Sequence, residues 1–152
     1  DKGMAETENK NRIHGACMCG AVSLSLIPKK GELHACHCSQ CRQWTGSAFL
    51  EIDAAKDTLE YDGPVKSYTS SDWAERAWCD RCGSTLWYKL TIPNKEHYGV
   101  AAGLFENAGN LTLTKEIYID CKPDGFSFAG DHLTQTKSEV EAMYASFGDG
   151  EY

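Results

Sequence analysis

Seven of the eight cysteines fall in three tight groups, and these hold most of the chemistry the chain can do. Cys36-His37-Cys38-Ser39-Gln40-Cys41-Arg42 sets three thiols at C-x-C-x-x-C spacing. Cys17-Met18-Cys19-Gly20 and Cys79-Asp80-Arg81-Cys82-Gly83 supply two further metal-spaced pairs. Such spacings can turn sulfurs inward around one soft ion. Zinc takes thiolates at about 2.3 Å, with four protein ligands in closed structural sites and one open corner in catalytic ones. The two pairs make a closed set of four sulfurs and leave the trio one ligand short. Spacing also allows Cys17 and Cys19 to join part of the trio, or the distant Cys121 to close it. A lone cysteine is just as often a small buried hydrophobe. His37, between two candidate ligands, more often points away from a metal than binds it. His14, His34, His97 and His132 stand alone and carry no signal.

The elements that must position these groups read as mostly β. Residues 1–12 are polar without a hydrophobic period and read as a mobile tail, leaving residues 13–152 as one zinc-binding β domain. Val22, Leu24 and Leu26 share one face of a strand over residues 21–27, closed by Pro28 and Gly31. A short strand over residues 33–36 delivers the chain into the trio. Strands follow at residues 48–52 and 58–61, the second ending at Asp62-Gly63-Pro64, with residues 65–68 as its hairpin partner. Residues 75–78 and 85–90 flank the Cys79–Gly83 turn as a knuckle, where Gly83 supplies a φ that other residues resist. Residues 98–102 and 117–119 add strands, and residues 105–113 a loop. Only the end reads as helical. Val140, Met143, Tyr144 and Phe147 form one apolar stripe, Ser138 and Glu141 fit a capping box, and Gly148 fits a stop.

Composition narrows the function classes. At 152 residues, 41% hydrophobic and 24% charged, the chain is an ordinary globular one. It has no run of about eighteen apolar residues and no apolar signal core at Asp1-Lys2-Gly3-Met4, so no membrane role is expected. Paired thiols without a secretory signal point to a reducing, cytoplasmic compartment rather than a disulfide framework. The formal net charge is -7 with 15 scattered Lys and Arg. Seven ionised thiols and two bound zinc ions would leave roughly -10. No basic stripe suited to nucleic acid is present.

Gly15-Ala16-Cys17-Met18-Cys19-Gly20, the trio with Gly46-Ser47 and Phe49, and Cys79-Asp80-Arg81-Cys82-Gly83 occur in an order and spacing that resembles the glutathione-dependent formaldehyde-activating enzyme family. The resemblance covers about Ile13 to Phe128. It implies a β-tent fold of small antiparallel sheets around zinc, here with a short C-terminal helix. It implies two zinc ions per chain: a structural one on Cys17, Cys19, Cys79 and Cys82, and a catalytic one on Cys36, Cys38 and Cys41 with an exchangeable fourth ligand. The activity implied is that of a carbon-sulfur lyase of the S-(hydroxymethyl)glutathione synthase type, with formaldehyde and the thiol of glutathione as substrates. Its partners are then a small-molecule thiol and an aldehyde. Glu116 replaces a histidine common in the family before the late Ile-Tyr strand, Cys121 a common serine, and an aromatic expected soon after Lys122 is displaced to Phe126. His37, Ser47 and Tyr98 are the candidate proton donors, and Arg42 and Lys122 the candidate anchors for glutathione. The rival readings are a non-catalytic thiol-binding zinc protein and a zinc-stapled protein-interaction module.

Overall fold

The structure is a computed structural model in which residues 10–146 are described. Eleven strands form two sheets among these residues. The smaller sheet joins β1 (Ile13–Ala16), β2 (Ser23–Leu26) and β5 (Glu60–Asp62), in the order β1-β2-β5. The larger contains β3 (Pro28–Cys36), β4 (Phe49–Ala54), β6 (Val65–Ser71), β7 (Ala74–Cys79), β8 (Thr85–Leu90), β9 (His97–Ala101), β10 (Thr112–Ile117) and β11 (Leu133–Gln135). Its order is β11-β10-β3-β4-β9-β8-β7-β6. The expected antiparallel pairing holds through most of both sheets, while β10 runs parallel to both β3 and β11. Two helices complete the site, α1 (Ser39–Thr45) and α2 (Lys137–Ser146). No helix among the described residues is long and apolar enough to cross a membrane.

Alternation of side chains gives the large sheet two different faces. Leu33, Ile52, Ala77, Trp87 and Val100 are buried on one of them, in the core that also holds Val22, Leu24 and Leu26. The other face carries two cross-strand rows. Lys115, His34 and Glu51 are register partners on β10, β3 and β4; Arg76, Tyr88, Gly99 and Asp53 are partners across β7, β8, β9 and β4. All of these except Gly99 line a single cavity with the cysteine trio.

Several local expectations are corrected. Pro28 does not close the second strand; it opens β3 and pairs with Ala54, with a register shift before Leu33 that accommodates Gly31 at φ +66°. β6 is not the hairpin partner of β5. β5 pairs with β2, and β6 with β7. The separating turn holds Gly63 at φ +115° against the Ala21 backbone, which directs the two strands into different sheets. The loop read over 105–113 turns through left-handed conformations at Asn107, Ala108 and Gly109, and β10 begins already at Thr112. β10 ends at Ile117 because Tyr118 adopts a left-handed conformation, φ 56° and ψ 41°.

Helix α1 was not legible as a helix, since only seven residues form it and Cys41 is its buried one. Its start is set by Cys38, whose sulfur accepts from the Cys41 N–H at 3.4 Å, a cap of the kind usually made by oxygen. Helix α2 is present, but its box is two residues earlier than expected. Thr136 Oγ1 accepts from the Glu139 N–H at 3.3 Å, and Glu139 Oε1 accepts from the Thr136 N–H at 3.1 Å. Val140 is fully buried, whereas Met143 is exposed. Residues 1–9 of the polar N-terminal stretch, together with the side chain of Tyr144 and with Phe147 and Gly148, lie outside the described residues. At the end of that stretch Arg12 donates to Ser25 Oγ at 3.0 Å and to the Thr58 carbonyl at 2.7 Å.

A Cβ at Gly63 would stand 2.1 Å from the Ala21 carbonyl oxygen, on top of the unfavourable φ. Gly63→Ala is therefore expected to destabilise the protein by more than about 1 kcal/mol, read as a lower denaturant midpoint at unchanged slope. An unchanged midpoint would mean that this turn does not hold the two sheets in register.

Candidate metal centres and cavity

The sulfurs of Cys17, Cys19, Cys79 and Cys82 converge within 4.8 Å of one another, and no disulfide joins them. This resolves the pairing that spacing left open. Cys17 and Cys79 are buried in the main core, and Cys19 is exposed. The two contributing turns are built alike. Gly20 at φ +80° donates to the Cys17 carbonyl at 3.1 Å, and Gly83 at φ +78° donates to the Cys79 carbonyl at 2.8 Å. Both turns aim backbone N–H groups at sulfur: Val22 at Cys17 (3.2 Å), Arg81 and Cys82 at Cys79 (3.4 and 3.5 Å). Ser84 ties them together. Its hydroxyl oxygen accepts from the Met18 N–H at 3.0 Å and lies 3.1 Å from Cys82 Sγ, a contact that pulls the Cys82 thiol down to about 5. The Cys17–Cys19 and Cys19–Cys79 sulfur separations are 3.6 and 3.9 Å. A tetrahedral ion with bonds of about 2.3 Å requires edges of about 3.8 Å, so the donor set fits a soft divalent ion.

Cys36, Cys38 and Cys41 also bring their sulfurs within 4.8 Å. β3 ends at Cys36 and α1 begins after Cys38, so a strand end and a helix start face each other across one residue. That residue, His37, does not line the cavity. It is fully buried, and its Nε2 lies 2.7 Å from Glu116 Oε1. Glu116 also bonds the ring of His132 through its other oxygen. Burial opposes the charge of Glu116, but the bonds from His132 and His37 outweigh it and hold the carboxyl below the usual range. Phe126 and Phe128 cover the His37 ring, with centroids at 6.2 and 5.8 Å. The two departures at Glu116 and Phe126 therefore meet at one place, behind the trio, where they hold its middle residue. His132, which carried no signal in the sequence, is a member of this network.

The trio forms one wall of a cavity of about 270 Å³. Three sulfurs this close cannot all ionise on their own. Hydrogen bonds from Cys36 and then Cys41 hold Cys38 far below the ordinary thiol range, and the same contacts push Cys36 up. A dication resolves that conflict by allowing all three to be thiolates, so this set also fits a soft divalent ion. Positive charge is already present. Arg76 is buried at 6% exposure and donates to Cys41 Sγ at 3.4 Å, to Ser70 Oγ at 3.1 Å and to Gln40 Oε1 at 3.3 Å. Trp44 and Tyr88 sandwich its guanidinium at 4.9 and 5.3 Å. Desolvation works against that charge, and the sulfur of Cys41 more than restores it.

Other expected residues lie elsewhere. Cys121 belongs to neither sulfur group among the described residues. His37, Ser47 and Tyr98 do not line the trio's cavity, and Tyr118 and Tyr88 do. Arg42 and Ser47 border a separate cavity of about 240 Å³ with Phe126, and Arg42 Nε donates to the His37 carbonyl at 3.1 Å. Lys122 donates to the carbonyls of Pro123 and Phe126. The cations that line the trio's cavity are Arg76, Lys115 and Lys137. Strand alternation makes Arg76 and Tyr88 readable as one face, but nothing local says that it is the face toward Cys41.

A family model described as glutathione-dependent formaldehyde-activating enzyme matches residues 12–121. The chain belongs to this family. An uncharacterized lyase of Schizosaccharomyces pombe is 36% identical over 127 residues, covering 83% of this chain and 92% of that one. A Halomonas elongata protein, provisionally named a glutathione-dependent formaldehyde-activating enzyme, is 31% identical over 87 residues, or 49% of this chain and 54% of that one. A crystal structure of a Rhodobacter sphaeroides protein superposes with a TM-score of 0.52 at 25% identity, over 67% of this chain and all of that one. The glutathione-dependent formaldehyde-activating enzyme family is thus matched across both sulfur groups and the strands that carry them.

Cys121 sits half-buried at a 3-10 turn, apart from both groups. Cys121→Ser is expected to leave the metal content unchanged and to alter stability by no more than about 1 kcal/mol. Elemental analysis with thermal melting checks this, and loss of metal would place Cys121 among the ligands.

Proposed function

We propose that the protein is a zinc-dependent carbon-sulfur lyase of the S-(hydroxymethyl)glutathione synthase type. In this reading Cys17, Cys19, Cys79 and Cys82 hold a structural zinc, and Cys36, Cys38 and Cys41 a catalytic one. The observation that carries it is the difference in surroundings: the four-sulfur group has its full complement of protein donors, whereas the trio has three and forms the wall of a cavity. Zinc held by the trio supplies a Lewis acid with an open position that lowers the pKa of an incoming thiol.

The chain's own side chains account for the rest. Arg76 offsets the negative charge of the thiolates by donating to Cys41. Lys115 and Lys137 line the cavity and suit the carboxylates of glutathione, in place of Arg42 and Lys122. In the addition a sulfur-carbon bond forms as the carbonyl π pair moves onto oxygen, and the proton lost from the thiol ends on that oxygen. Tyr118 lines the cavity, and burial, followed by the neighbouring Cys38 and Cys36, raises its phenol, so it keeps its proton and can donate to the developing alkoxide. The compartment suited to seven reduced thiols is a reducing one, in keeping with cytoplasmic use of glutathione.

Two measurements test the reading. Cys79→Ser should lower the melting temperature by at least about 10 °C, because a closed thiolate site contributes several kcal/mol of folding free energy at roughly 2–4 °C each. Cys41→Ser should lose one metal with a much smaller shift; equal losses would remove the structural and catalytic division. Formaldehyde and glutathione combine unaided, so catalysis must appear as faster exchange between free and hydroxymethylated glutathione at unchanged equilibrium. NMR exchange spectroscopy should show acceleration by wild type, none by Cys41→Ser, and at least a tenfold loss in Tyr118→Phe. Binding of glutathione without acceleration would establish a carrier instead.

A further inference from the structure

A third donor group lies on the same cavity, opposite in chemistry to the sulfurs. His34 on β3 and Glu51 on β4 are register partners, and Asp53 is two residues further along the same face. One donor atom from each lies within 4.8 Å of the other two, and all three residues line the cavity of the trio. His34 Nδ1 is 3.5 Å from Asp53 Oδ2. Adjacent donors around an ion with bonds of about 2.1 Å stand roughly 3.0–3.4 Å apart, so this pair needs only a slight movement to share one ion.

Three features indicate more than an acidic patch. Asp53 Oδ1 is buried and accepts no hydrogen bond. An orphan acceptor of this kind is rare unless something outside the chain satisfies it. The other ring nitrogen of His34 is turned toward Glu32 at 4.0 Å, and Thr114 donates to that same carboxylate. A carboxylate behind the free nitrogen is the usual support of a metal-ligating histidine. Room for Glu51 comes from Gly99: a Cβ there would lie 2.2 Å from Glu51 Oε2.

We infer that His34, Glu51 and Asp53 form a further cation site that takes a first-row divalent ion preferring nitrogen and oxygen donors, of the class of Mn²⁺, Fe²⁺ or Co²⁺. One histidine with two carboxylates on one face leaves coordination positions open toward the cavity. An ion there offers those positions to the oxygen atoms of whatever molecule the cavity holds, on the same cavity as the sulfur trio. The inference stands apart from the proposed lyase reaction, because it concerns different ligands and is read without turnover.

Mn²⁺ added to the purified, zinc-containing full chain and followed by EPR is the direct test. Wild type should take up one Mn²⁺ per chain. Asp53→Asn and Glu51→Gln should each weaken that binding at least about 10-fold while zinc content and melting temperature stay unchanged. Cys41→Ser should keep the Mn²⁺, since Cys41 is not among its ligands. No stoichiometric uptake by wild type overturns the inference whatever the variants do. So does binding that survives both carboxylate changes, or that disappears in Cys41→Ser while persisting in Asp53→Asn.

Discussion

A β-strand sends successive side chains to opposite faces, and in the eight-stranded sheet that alternation separates two kinds of site. Cys79 ends β7 among core residues, where it meets Cys17, while Cys36 ends β3 on the face that carries Arg76, Tyr88 and Glu51. A slip of one residue in β3 or β7 would exchange these environments. The same constraint explains why one sulfur group joins the two sheets and the other meets a cavity. Position relative to the pleat, rather than ligand type, distinguishes them.

Charge burial sets the second level of organisation. Arg76 is buried between two aromatic rings, with a sulfur, a hydroxyl and an amide oxygen as its partners. A guanidinium so placed is costly unless its counter-charge is close, so Arg76 and the trio depend on each other. Behind the trio, Glu116 joins His37 and His132 in a network that fixes the Cys36–Cys38 turn from the side away from the cavity. The trio is therefore held between a cation in front and a carboxylate network behind. Such support on both sides keeps ligands in place without closing their open side.

This arrangement gives the departures from the family pattern a physical reading. Glu116 replaces a common histidine, but two imidazoles, from His37 and His132, come to it. Phe126, displaced in sequence, still packs on the ring of His37. In this chain both positions bear on His37, the middle residue of the cysteine turn.

By itself the sequence determined the grouping of the thiols, spacings that suit a soft metal, the mostly β class and the two glycine turns at Gly20 and Gly83. These follow from contacts between near neighbours, where spacing is geometry. It also carried the apolar face of β2, because alternation is local. Tertiary structure alone decided which sulfurs are brought together, that Cys121 joins neither group, and that β5 and β6 part company at Gly63. It lined the trio's cavity with Arg76, Lys115 and Lys137 rather than Arg42 and Lys122, and set His34 beside Glu51 and Asp53. A strand's pattern states which residues share a face but not which neighbour that face meets. That choice rests on the register between strands far apart in the chain, set by packing and by backbone room such as that at Gly99.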